Sequence, residues 1–215
     1  MKLRGYSAST RKTYRNHLLR FLQYFNRPPS TLAVSDIRQY VLFLIDEKQV
    51  SRAYQTQTVS AIKFLYNHVL NIGLTMEQLP RPKADKKLPS ILSRNEVLRI
   101  LAALESNKHR ALLMTAYSAG LRVSEVTRLH LTDIDSQRQL IHVRRAKGRK
   151  DRYVPLSEVL LTRLRLYWKT STPQKWLFPG ARADRHLTTR SVQKVFAKAK
   201  QKAGAKTGNL AHATS

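Results

Sequence analysis

Three sets of cations in this sequence have the types and spacing to act on phosphate. The first is Leu121-Arg122-Val123-Ser124-Glu125, an arginine with a carboxylate three positions on, directly after Gly120. The second surrounds Gly148, where Arg144, Arg145, Lys147, Arg149, Lys150 and Arg152 put six basic residues into nine positions. The third is Arg190, Lys194, Lys198 and Lys202, spaced by four along one helical face, with Val192, Val195, Phe196, Ala199 and Ala203 on the apolar face. Like charges at that spacing cost each other a few tenths of a kcal/mol per pair, and phosphates would remove the penalty while releasing counterions. Cutting a phosphodiester without a metal needs cations where charge builds on the non-bridging oxygens. Arginine suits this, with planar paired donors and a charge that persists at any working pH. Other chemistries are excluded. The absence of cysteine removes a thiol nucleophile, thiolate zinc sites and a disulfide framework, and the scattered histidines and carboxylates form no metal-ligand cluster.

The whole chain carries the same bias. Its 215 residues hold 40 Lys+Arg against 13 Asp+Glu, a net charge of +27 with a pI near 11.0. Such an excess destabilises a compact chain by self-repulsion unless a polyanion neutralises it, which points to nucleic acid. An anionic membrane is the alternative, but no apolar run approaches the ~18–20 residues of a bilayer span. Met1-Lys2-Leu3-Arg4-Gly5 also lacks an apolar signal core. With 42% hydrophobic residues, 7 Gly and 8 Pro, the composition is that of a globular protein.

The elements that position these cations read as mostly helical. Tyr14, Leu18, Phe21, Leu22 and Phe25 predict a helix over Ser9–Phe25 with Ser9 or Thr10 as its cap, stopped by Pro28-Pro29. A second helix is expected after Ser35 or Asp36. A third runs through Val59, Ile62, Phe64, Leu65, Val69 and Leu70 to near Gly73. Pro80–Pro89, with three prolines and four basic residues, reads as a linker. Both sides of it are basic, with 15 cations and 5 anions through position 89 and 25 and 8 beyond, so the two parts could close on a duplex from opposite sides. Ser93 with Glu96 is a capping box. Helices follow over about Lys108–Ser118 and through Val123, Val126 and Leu129. Leu140–Val143 and Arg152–Leu156 predict a hairpin around the cationic turn, and further helices start near Ser157 and at Thr189.

Ser118-Ala119-Gly120-Leu121-Arg122-Val123-Ser124-Glu125, Leu131-Thr132-Asp133-Ile134-Asp135 and Ala146–Leu156 together closely resemble the tyrosine recombinase (phage integrase) family. Tyr6–Tyr14 resembles the start of that family's helical core-binding domain. The resemblance implies a mainly α fold with a small β-hairpin or sheet (α+β). It implies a helical, SAM-like DNA-binding domain over 1–82, a basic linker over 83–89 and a catalytic domain over 90–215. It further implies site-specific DNA recombination or integration without a cofactor, with duplex DNA as partner, a homotetramer on DNA, no membrane, and a bacterial, cytoplasmic, nucleoid-associated mobile-element setting. Arg122 then matches the first catalytic arginine and Lys147 the catalytic lysine that protonates the leaving 5′-oxygen, 25 positions further on. Glu125 would orient Arg122. Arg144, Arg145, Arg149, Lys150, Arg152, Arg190, Lys194, Lys198 and Lys202 would grip the DNA, the hairpin cations also lowering the pKa of Lys147.

The family also uses an H-x-x-R box and a tyrosine nucleophile. His212 sits about where the box histidine would fall, but Ser215 occupies the place of the arginine. All nine tyrosines lie at or before Tyr167, and neither Tyr153 nor Tyr167 matches the nucleophile's place. The expectation is therefore a C-terminally truncated recombinase that binds DNA and does not cleave alone. The alternative is a DNA-binding remnant or a dominant-negative regulator of a full-length relative. RNA binding is disfavoured, because no base-stacking motif of the RNA modules occurs.

Overall fold

The computed structural model describes residues 1–75, 77–82, 91–144 and 150–205. Lys147, Arg145, Arg149, His212 and the expected linker thus lie outside the described residues. The chain forms two compact units, Met1–Lys87 and Leu88–Ser215.

The first unit is built on α1 (Ala8–Phe25), α2 (Val34–Asp46) and α3 (Arg52–His68). Helix α1 starts before the expected cap: Ser7 is extended, and its hydroxyl accepts from the Thr10 N–H at 3.0 Å. Helix α2 starts at Val34 because the Asp36 carboxylate accepts from the Ala33 N–H at 2.9 Å, so Asp36 caps from within the first turn. Helix α3 starts seven residues before the apolar run, where Ser51 caps the Tyr54 N–H, and its apolar side then enters the core at Val59, Ile62 and Tyr66. It ends at His68, short of Gly73. Phe21, fully buried, meets Tyr40 edge-on at 5.2 Å between ring centres, a preferred aromatic geometry.

The second unit contains α4 (Arg94–Ala102), α5 (Asn107–Ser118), α6 (Val123–Val126), β1 (Ile134–Asp135), β2 (Leu140–Val143), β3 (Arg152–Pro155), α7 (Glu158–Ser171) and α8 (Thr189–Lys202). The fold is mainly helical with a three-stranded antiparallel sheet in the order β1-β2-β3. Ser93 and Glu96 form the expected capping box at the start of α4. Strands β2 and β3 pair in the register Ile141↔Val154 and Val143↔Arg152. Leu112, Leu121, Ile141, Leu160, Phe178 and Val192 are buried in one core.

One expectation changes here, and one strand leaves no trace in the sequence. The helix expected through Leu129 closes after one turn, because the chain around Leu129 bonds elsewhere. The Leu129 carbonyl accepts from Leu177 N–H at 2.8 Å and Leu131 N–H donates to Lys175 at 3.2 Å, so tertiary bonds replace helical ones. Strand β1, only two residues long, is too short to leave a periodic signal.

Candidate active site

Gly120, with φ +60°, ends α5 in the left-handed region and turns the chain sharply. Leu121 plugs the core beneath the turn, and Arg122 then caps α6 in an extended conformation. Its N–H donates to Glu125 Oε2 at 2.9 Å and its Nη1 to Glu125 Oε1 at 3.1 Å. From the first residue of β3, Arg152 adds a two-bonded fork to the same carboxylate, Nη1 to Oε1 and Nη2 to Oε2, each at 2.9 Å. The Glu125 side chain is 7% exposed, against 34% for Arg152 and 58% for Arg122. Burial alone would raise the Glu125 pKa. The hydrogen bonds from Arg152, then those from Arg122, outweigh it and hold the carboxyl down to about 2. Glu125 in turn raises the pKa of Arg152. A carboxylate ionised at neutral pH therefore sits behind a cation that faces water.

A second buried carboxylate, Asp133, also faces an arginine, but by an ion pair without a fork of hydrogen bonds. Asp133 Oδ1 pairs with Arg144 Nε at 2.6 Å, and its other oxygen accepts from the His130 N–H at 2.8 Å. At the base of the hairpin, His142 Nε2 meets Asp151 Oδ2 at 3.1 Å and its ring stacks on Tyr153 with 4.8 Å between centres. A cleft of about 480 Å³ opens beside Glu125, bounded by Arg128, His130, Asp133, Arg144, Trp176 and His186. His130 and His186 stand 4.3 and 5.0 Å from the Trp176 ring, one on each contact. Spacing in the sequence gives no sign of this aromatic wall, because His130 and Trp176 are 46 positions apart. Among the described residues no group of three or more His, Asp or Glu side chains could hold a metal ion.

Residues 90–214 match the phage integrase family, and residues 1–75 match the family described as phage integrase, N-terminal SAM-like domain. The chain belongs to the phage integrase family of tyrosine recombinases. It is 41% identical over 200 residues to the Sinorhizobium fredii protein y4qK, named as an integrase/recombinase, covering 93% of this chain and 65% of that one. It is 29% identical to the tyrosine recombinase XerA of Pyrococcus horikoshii over 95% of this chain and 70% of that one. The chain thus spans less than two thirds of y4qK and of a second Sinorhizobium fredii relative, y4eF, of which it covers 64%. Among solved structures, a lambda integrase dimer bound to a COC′ core site shares the fold, with a TM-score of 0.77 at 18% identity over 98% of this chain and 78% of that chain.

The remaining candidate residues fall as follows. Lys150 is exposed before β3. Arg190, Lys194, Lys198 and Lys202 all face solvent along α8, while Val192, Phe196 and Ala199 are buried beneath them. Lys202 Nζ is already paired with Glu105 Oε1 at 2.6 Å. Tyr167 is a core residue: its hydroxyl donates to the Leu177 carbonyl at 3.0 Å, and burial pushes its pKa up to about 12. Tyr153 is 63% exposed. No helix among the described residues is long and apolar enough to cross a membrane.

Proposed function

We propose that this chain binds duplex DNA as part of a site-specific recombination or integration system and that Arg122 meets the backbone phosphate at which strands exchange. One observation carries the reading. Arg122 is a half-exposed guanidinium fixed at both its backbone and its side chain by a buried, ionised carboxylate, in a chain of the phage integrase family with a net charge of +27. A preset cation costs no reorganisation when charge develops on the phosphate. Lys147 is the proposed proton donor to the leaving 5′-oxygen, and Lys150 with the α8 stripe supplies backbone contacts. The recombinases in the comparison include a lambda integrase tetramer bound to a Holliday junction, which supports assembly of several copies on DNA.

These 215 residues are proposed to bind without linking covalently to the strand. Tyr167 is buried with its hydroxyl committed, and Tyr153 is stacked on His142 at the hairpin base. The test is duplex binding across a salt series, combined with a nicked substrate that traps covalent protein–DNA adducts. A steep loss of affinity with salt and no adduct are expected. Salt-insensitive binding removes the cationic-surface reading, and a trapped adduct removes the non-covalent one.

A further inference from the structure

Arg152 belongs by sequence to the cationic set around Gly148, but in the fold its guanidinium is turned onto Glu125. We propose that Arg152 is a positioning residue that fixes Arg122 through Glu125, and not a contact to the DNA backbone. The inference rests on the phosphate role proposed for Arg122 and deepens it.

A carboxylate offers about four lone-pair sites, and four bonds reach Glu125. Oε1 accepts from Arg122 Nη1 and Arg152 Nη1; Oε2 accepts from the Arg122 N–H and Arg152 Nη2. Two of the four come from Arg152. Its parallel bonds define the plane of the carboxylate, which a single point donor such as lysine cannot do. That plane decides where the Arg122 guanidinium sits, because Nη1 hangs from one of its oxygens.

Local structure cannot supply this constraint. Helix α6 is four residues long, and one turn is marginal by itself. An Arg–Glu pair three apart on such a turn, with its arginine half in water, is worth only a few tenths of a kcal/mol. Arg152 comes from a different element, and its backbone is registered against Val143 in the sheet. The fork therefore refers the Arg122 turn to the sheet.

The experiment uses the full chain with 15N-labelled arginine, comparing wild type with Arg152→Lys and Arg152→Gln. Three readouts are taken: the Arg122 guanidinium signals, the titration midpoint of the Glu125 carboxyl, and the salt dependence of duplex DNA binding. Slow guanidinium rotation at Arg122 is expected in the wild type and fast averaging in both variants. The Glu125 midpoint should rise by about one unit or more in Arg152→Gln, while the salt slope stays unchanged. A slope that falls by about one, with Arg122 signals unaltered, makes Arg152 a phosphate contact and overturns the proposal. Should Arg152→Gln not fold, Arg152→Lys keeps the charge and loses only the fork; unaltered Arg122 signals in it also overturn the proposal. If the wild type binds no DNA, the functional reading fails, and the two spectroscopic readouts still decide whether Arg152 positions Arg122.

Discussion

Arg144 and Asp133 form a 2.6 Å ion pair in which the carboxylate is 2% exposed and the guanidinium is half in water. The pair joins the end of β2 to the turn before β1. Asp133 Oδ1 is buried and accepts no hydrogen bond, so truncating Arg144 to Ala leaves that oxygen without its facing charge, and the second unit should lose about 1–3 kcal/mol in denaturant unfolding. Asp133→Asn, which also weakens the bond to the His130 N–H, should act in the same direction. A loss of only a few tenths in both variants would make the contact an ordinary surface pair.

Glu125 makes the second unit sensitive to acid. Its pKa is held at about 2, below its ordinary value of 4.5, so the folded state binds the proton more weakly than the unfolded state. The stabilisation is complete above about pH 4.5 and disappears as pH falls toward 2. Allowing for water around Arg122, it is on the order of 2 kcal/mol. Unfolding of wild type and Glu125→Gln measured from pH 6 to pH 3 should converge as the acid limit is approached. Parallel curves would show that the arginine pairs do not hold this carboxyl down.

The cations of α8 should not weigh equally in DNA binding. Lys194 and Lys198 are exposed, whereas Lys202 is paired with Glu105 at 2.6 Å. Changing Lys194 or Lys198 to Ala should lower the salt slope of duplex affinity by about one each. Lys202→Ala should change it less, since Glu105 already neutralises part of that charge. Equal effects at all three positions would mean that the Glu105 pair opens on binding.

Arg122→Ala should leave duplex affinity within a few fold if its role lies in stabilising the reacting phosphate, because only interactions stronger in the transition state affect the chemical step. An affinity loss as large as that of an α8 lysine would make it a gripping residue.

In the first unit, Phe21 has no exposed surface and touches Phe25, Tyr40 and Tyr66. Phe21→Ala should cost about 3–5 kcal/mol through lost burial and the cavity left behind. A loss under 1 kcal/mol would mean that the helices collapse onto the gap.

Most of the helices, the hairpin strands and the one-turn spacing of Arg122 and Glu125 were legible in the sequence, because each depends on neighbours within a few positions. Apolar spacing placed α1, α2, α5 and α8, Ser93 with Glu96 marked the start of α4, and three residues from Arg122 to Glu125 is one helical turn. Helix starts set by capping side chains, such as Ser7 and Ser51, fell outside the apolar pattern and were read too late. The partners that complete the site were decided only by the tertiary structure. Nothing in the spacing says that Arg152 turns from its cationic neighbours to Glu125, 27 positions back. Nor does it say that Arg144 closes on Asp133, or that Leu129 leaves its helix to bond near Trp176. Composition establishes how many charges a chain carries. Which of them face water and which are spent on buried carboxylates depends on distances between elements, and those exist only once the core has closed.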